Sequence, residues 1–132
     1  MITLETLSQA TAQEVFDQVA RHLLTQNKMS LGDSGLKDFP DCRYRNDDGL
    51  TCAAGCLISE DEYYMKVASY EGRGWATLVV KGIAPDAHWK LIWELQKIHD
   101  SNRVSDWPKR LLEVAFKNDL EYTVLKELGY ES

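Results

Sequence analysis

The sequence predicts a mainly α protein, a compact bundle of about five helices with one short β-hairpin, in a single domain over residues 1–132. Three observations carry that expectation. Thr11 with Glu14, and Ser59 with Glu62, are capping boxes, in which each side chain accepts from a backbone N–H that the first helical turn leaves unpaired. Apolar residues recur at helical spacing along several segments. An Asp-Gly turn between short β-compatible segments supplies the hairpin signal, because such a turn needs positive φ.

The first helix is read from Thr11 to Asn27. Val15, Phe16, Val19, Ala20, Leu23 and Leu24 form its core stripe, with Gln13, Asp17, Gln18, Arg21 and Gln26 facing the other way. Lys28 to Asp41 reads as a loop, because Gly32, Gly35 and Pro40 alternate with Asp33, Ser34 and Asp38. Two very short strands, Cys42–Arg45 and Leu50–Cys52, are expected around Asn46-Asp47-Asp48-Gly49. The small residues of Cys52–Ile58 suit a helical turn packed close to another element.

A second helix opens at Ser59, passes through Tyr63, Tyr64, Val67 and Ala68, and stops near Glu71-Gly72. Trp75–Val80 fits either a buried strand or two helical turns, and as a strand it would make the fold α+β. A third long helix opens at Pro85-Asp86 and runs to about His99, with Trp89, Ile92, Trp93, Leu95 and Ile98 on its inner face. Ser105 or Asp106 can cap the next helix, which has Pro108 in its first turn and the stripe Leu111, Leu112, Ala115 and Phe116. The last helix runs from about Asp119 to Leu128, where Gly129 is a natural stop.

A chain of 132 residues, 44% hydrophobic, can bury roughly two-thirds of its unfolded surface without metal or disulfide staples. A net charge of -6 argues against a general nucleic-acid binder, which needs a basic patch for phosphates. No stretch approaches the roughly 18 apolar residues of a membrane span. Met1-Ile2-Thr3-Leu4-Glu5 lacks the basic start and apolar run of a signal peptide. The 3 cysteines, an odd number, do not complete a disulfide framework, so a reducing cytoplasm is the expected setting. Gly72-Arg73-Gly74 is too short to cradle a phosphate by itself, and no cofactor is expected.

Cys42, Cys52 and Cys56 invite four readings. As buried thiols they behave as small apolar residues. As metal ligands their C-x9-C-x3-C spacing lacks the paired clusters of tetrahedral zinc, and His22, His88 or His99 would have to complete the set. As a catalytic group, Cys52 at a helix start would be the nucleophile, with His99 as base and Asp100 orienting it. The fourth reading is a disulfide between Cys42 and Cys52 across the hairpin.

Arg43, Tyr44, Arg45, Asp47 and Asp48 surround the turn. Tyr44 can pack on the core while the arginines pair locally, or the set can form a recognition tip, since Tyr and Arg are common interface anchors. His99 near a helix C-terminus also suits the helix dipole.

The stretch Cys42–Ile58 resembles the signature of a family of small uncharacterised proteins of tailed bacteriophages and prophages. Val15–Gln26 and Leu95–Asp100, with Trp107 and Leu111 after them, are similar to that family too. The resemblance implies a helix over Tyr70–Gly82, a phage or prophage origin, and action in a bacterial cytoplasm. It implies no established activity. The expected function is non-enzymatic binding of a host or defence-system protein, without nucleic acid or membrane. A Cys52/His99 group-transfer or hydrolytic enzyme and a Cys-ligated metal protein are the alternatives.

Overall fold

A computed structural model describes residues 1–32 and 41–130 of the chain. The part of the expected loop that holds Gly35 and Pro40 lies outside the described residues. Among those described, six helices and a two-stranded antiparallel pair make a mainly α fold.

Helix α1 (Ala12–Gln26) is the central strut. Its capping box forms as expected: Glu14 N–H donates to Thr11 Oγ1 at 3.1 Å and Thr11 N–H to Glu14 Oε1 at 2.8 Å. All six stripe residues from Val15 to Leu24 are buried, and α1 packs against α4 (Trp89–Ser101), α5 (Trp107–Lys117) and α6 (Thr123–Glu127). Asn27 in the left-handed region ends α1, its N–H returning to Leu23 O at 2.8 Å.

The second capping box opens α2 (Glu60–Glu62), which widens into a π turn over Tyr63–Val67 and tightens into a 3-10 turn over Ala68–Tyr70. Glu62 also accepts from the backbone N–H groups of Leu4 and Glu5, both at 3.0 Å, which fastens the N-terminal segment to α2. Burial alone would raise the Glu62 carboxyl, but the N–H groups of Ser59, Leu4 and Glu5 outweigh it and hold the pKa below 4.5. Trp75–Val80 is helical (α3), with Trp75 and Leu78 buried.

Three expectations need correction. The regular strand pair is β1 (Leu31–Gly32) with β2 (Asp41–Cys42), Leu31 opposite Cys42. The expected hairpin survives only as one antiparallel bridge, Arg45 opposite Thr51, closing a turn with Gly49 at φ +81°. Asn46 dictates that outcome, because its Oδ1 accepts from the N–H groups of Asp48 and Leu50 and folds the turn around its own side chain.

Second, α4 begins at Trp89, after a left-handed His88, and turns Leu91, Ile92, Leu95 and Ile98 inward. Trp89 and Trp93, expected on that inner face, are 56% and 51% exposed. Third, α5 buries Leu111, Val114 and Ala115, whereas Phe116 points outward. Pro108 stands in its first turn as expected, but Asp106 makes no side-chain cap.

Candidate functional site

Residues 42–58 are held from two sides by side chains that bind their backbone. On α1, Gln18, His22 and Gln26 follow one another at four-residue spacing and therefore share a flank. Gln26 pairs with Thr51 as a neighbouring strand would, accepting from its N–H at 3.1 Å and donating to its carbonyl at 2.9 Å. His22 Nε2 lies 3.0 Å from the Thr51 carbonyl and 2.8 Å from Thr51 Oγ1. Burial pushes the His22 pKa below 6.5, against the Thr51 carbonyl, which favours the charged ring. Gln18 donates to Cys56 O at 3.0 Å and to Ile2 O at 2.9 Å.

From the other side, α4 supplies Gln96, His99 and Asp100. Gln96 accepts from Ala54 N–H at 2.8 Å and donates to Asp100 Oδ1 at 2.8 Å. His99 Nδ1 lies 2.7 Å from that same oxygen, and its Nε2 faces the Ser30 N–H at 2.9 Å. A backbone amide only donates, so Nε2 carries the lone pair and Nδ1 the proton that Asp100 accepts. The ring is fully buried and stacks on Trp107 at 5.6 Å.

Asp100 is thus the shared acceptor of His99, Gln96 and the Cys42 thiol. Burial would raise its pKa, but those three donors outweigh it and hold the carboxyl below 3.8.

Cys52 is buried, and its sulfur accepts from Gly55 N–H at 3.2 Å. Cys56 donates to Ala53 O at 3.1 Å. The turn Ala54–Leu57 rides close on the bridge: a Cβ at Gly55 would lie 2.1 Å from Tyr44 O, so only glycine fits. The close packing expected of Cys52–Ile58 is found.

A cavity of about 250 Å³ opens beside this network, with Cys42, Cys52, Tyr44, Arg73, Trp75 and Asp100 among its walls. Its chemistry does not match the catalytic expectation. His99 and Asp100 do meet, but both ring nitrogens are engaged elsewhere and neither serves Cys52. The thiol nearest the pair is Cys42, which donates to the carboxylate instead of losing its proton to an imidazole. Burial, then the charges of Asp100 and Asp41, push the Cys42 thiol up to about 12. Burial likewise pushes up Cys52 and Cys56. A nucleophilic thiol needs the opposite shift.

The metal expectation changes in a similar way. The potential ligand atoms that gather within 4.8 Å of one another belong to Cys42, His99 and Asp100, not to the three cysteines. With the Ser30 amide holding the Nε2 lone pair, the proton sits on Nδ1, the nitrogen facing Asp100. The ring therefore has no lone pair to offer a cation there. All three cysteines are free thiols, so the Cys42–Cys52 disulfide is absent.

The recognition residues around the turn divide. Tyr44 is buried and donates through its hydroxyl to Arg73 O at 2.7 Å. Glu71 accepts from the N–H groups of Tyr44 and Arg45, at 2.9 and 3.1 Å. The Arg45 guanidinium lies over the Tyr63 ring, 5.8 Å from its centroid. Arg43 is half-buried, leaving Asp47 and Asp48 as the exposed pair.

A second surface was missed in the sequence. Between α3 and α4 lies an open apolar cavity of about 350 Å³, walled by Trp75, Ala76, Val79, Val80, Asp86, Trp89 and Trp93. Val80 is 83% exposed. The signal was present, since Leu91, Ile92, Leu95, Ile98 and His99 already fill the inward positions of α4 and leave Trp89 and Trp93 surplus to its core.

Comparison with protein-family models, curated proteins and solved structures finds no match to this chain.

Proposed function

We propose that this protein is a non-enzymatic binding protein of phage or prophage origin that acts on a bacterial host or defence-system protein. Its contact face is the α3–α4 surface. The observation that carries the reading is the exposure of Trp89, Trp93 and Val80 around one apolar cavity. Exposed apolar side chains scattered singly are ordinary, but a contiguous aromatic cluster is characteristic of interaction sites. Trp is also the residue most enriched among interface hot spots. The partner segment this face suits is apolar at its centre, where Asp86 is the single charged wall residue.

The cysteine–histidine–aspartate network supports the same reading from the other direction. Its donors and acceptors satisfy one another and leave neither a base nor an activated thiol. No helix among the described residues is long and apolar enough to cross a membrane. Capture on immobilised protein from bacterial lysate, with and without phage infection, tests the proposal. Wild type should retain a partner that the Trp89→Ser/Trp93→Ser double variant loses. Retention by both, or by neither, would count against it.

A further inference from the structure

Beyond that reading, we infer that the protein associates with a second copy of itself, head to tail, through the same α3–α4 groove. The occupant is the helical segment Glu60–Tyr70 of another molecule.

Two unpartnered surfaces of this chain complement each other. The first is the groove, apolar along its walls apart from Asp86. Lys81 follows Val80 at its edge, Lys90 follows Trp89, and the Lys97 ammonium lies 4.7 Å from the Trp93 ring centroid. Among the described residues none of these three lysines is in an ion pair. In a chain of net charge -6 that makes the rim locally basic.

The second surface is the outer side of the Glu60–Tyr70 segment. Asp61, Tyr64, Met65 and Ala68 are all exposed, Tyr64 at 66% and Met65 at 79%. Tyr64 and Met65 stand side by side on the outer side of the π turn, with Asp61 before them and Ala68 after, so they form a short exposed stripe with an aromatic-aliphatic anchor at its centre. Tyr64 packs edge-on against Tyr63, ring centroids 5.1 Å apart. Glu60 and Asp61 stand exposed in the first turn, and among the described residues neither is in an ion pair. The stripe therefore brings two carboxylates at one end of an aromatic-aliphatic anchor to a groove with aromatic walls and a lysine rim. The charges are opposite in sign, which steers and orients association.

Such a contact is heterologous, because stripe and groove are different patches. That gives it a distinctive test. Sedimentation velocity of the wild-type chain over roughly 1 µM to 1 mM, the range of weak interfaces, should show a weight-average coefficient that rises with concentration. Met65→Glu, which alters only the stripe, and Trp93→Glu, which alters only the groove, should each remain monomeric. Both positions are exposed, and unchanged circular dichroism confirms that both variants fold. An equimolar mixture should form a 1:1 dimer and nothing larger, since each variant keeps the surface that the other has lost. A monomeric wild type over the whole range overturns the inference. So does loss of association in Trp93→Glu but not in Met65→Glu, which would mean groove against groove. A monomeric wild type whose Trp93→Glu variant still loses the bacterial partner removes self-association alone and leaves the proposed function standing.

Discussion

At the residue scale, Asp100 shows why a histidine beside an aspartate is a poor guide to catalysis. Its carboxylate gathers protons from His99, Gln96 and Cys42. Removing that acceptor, in Asp100→Ala, strands three donors. The expected loss is about 2 kcal/mol of unfolding free energy, measured by urea titration. Thiol chemistry checks the same site. The alkylation rate of Cys42 should climb with pH without an inflection below 9.0, because burial and two carboxylates hold its thiol up at about 12. An inflection near neutrality would show an activated thiol at Cys42 and contradict this account of the network.

Gly55 makes the complementary point about backbone. Gly55→Ala drives a methyl group to 2.1 Å from Tyr44 O and should cost about 3 kcal/mol, whereas Gly74→Ala meets nothing within 4 Å and should be nearly neutral. The need for small residues at 52–56 was legible in the sequence. The hydrogen-bond polarity at His99 was not, because it depends on the Ser30 amide, far away along the chain.

At the element scale, legibility followed locality. Both capping boxes and the α1 stripe were readable because each is decided within a few residues. A short hairpin was legible but its place was not: Asn46 folds the 46–50 turn around its own side chain, and Leu31 supplies the partner strand to Cys42 across the expected loop. Gln18 and Gln26 are expected to face away from the core stripe of α1, yet together with His22 on the same flank they pin the backbone of Thr51 and Cys56.

That flank carries a pH prediction. The His22 pKa lies below its unfolded value of 6.5, so the unfolded chain binds the extra proton. Stability is therefore complete above 6.5 and falls as pH drops below it. Asp100 and Glu62, whose folded pKa values are lowered, add losses as pH falls through the carboxylate range. Urea midpoints measured from pH 8 to 3 should fall in two stages, and His22→Gln should flatten the first. A first stage unaltered by His22→Gln would refute the assignment.

At the scale of the whole molecule, helices with helical spacing and a small strand pair were legible, and so was the mainly α class. The proposed contact surface was legible only in part: tryptophan at helical spacing is normally core, but Leu91, Ile92, Leu95 and Ile98 already fill the inward positions of α4 and leave Trp89 and Trp93 outside. Because they are half-exposed, Trp89→Ser and Trp93→Ser should each change the thermal midpoint by only a few degrees, about 1 kcal/mol or less.

The most direct test of the binding account is site-specific photocrosslinking in bacterial cytoplasm, with the crosslinker at Val80 in the α3–α4 groove or at Asp48 on the turn. The account predicts an adduct at Val80 whose added mass is not a multiple of this chain, lost when Trp93→Ser is introduced, and none at Asp48. Such an adduct at Asp48 with none at Val80 would contradict it.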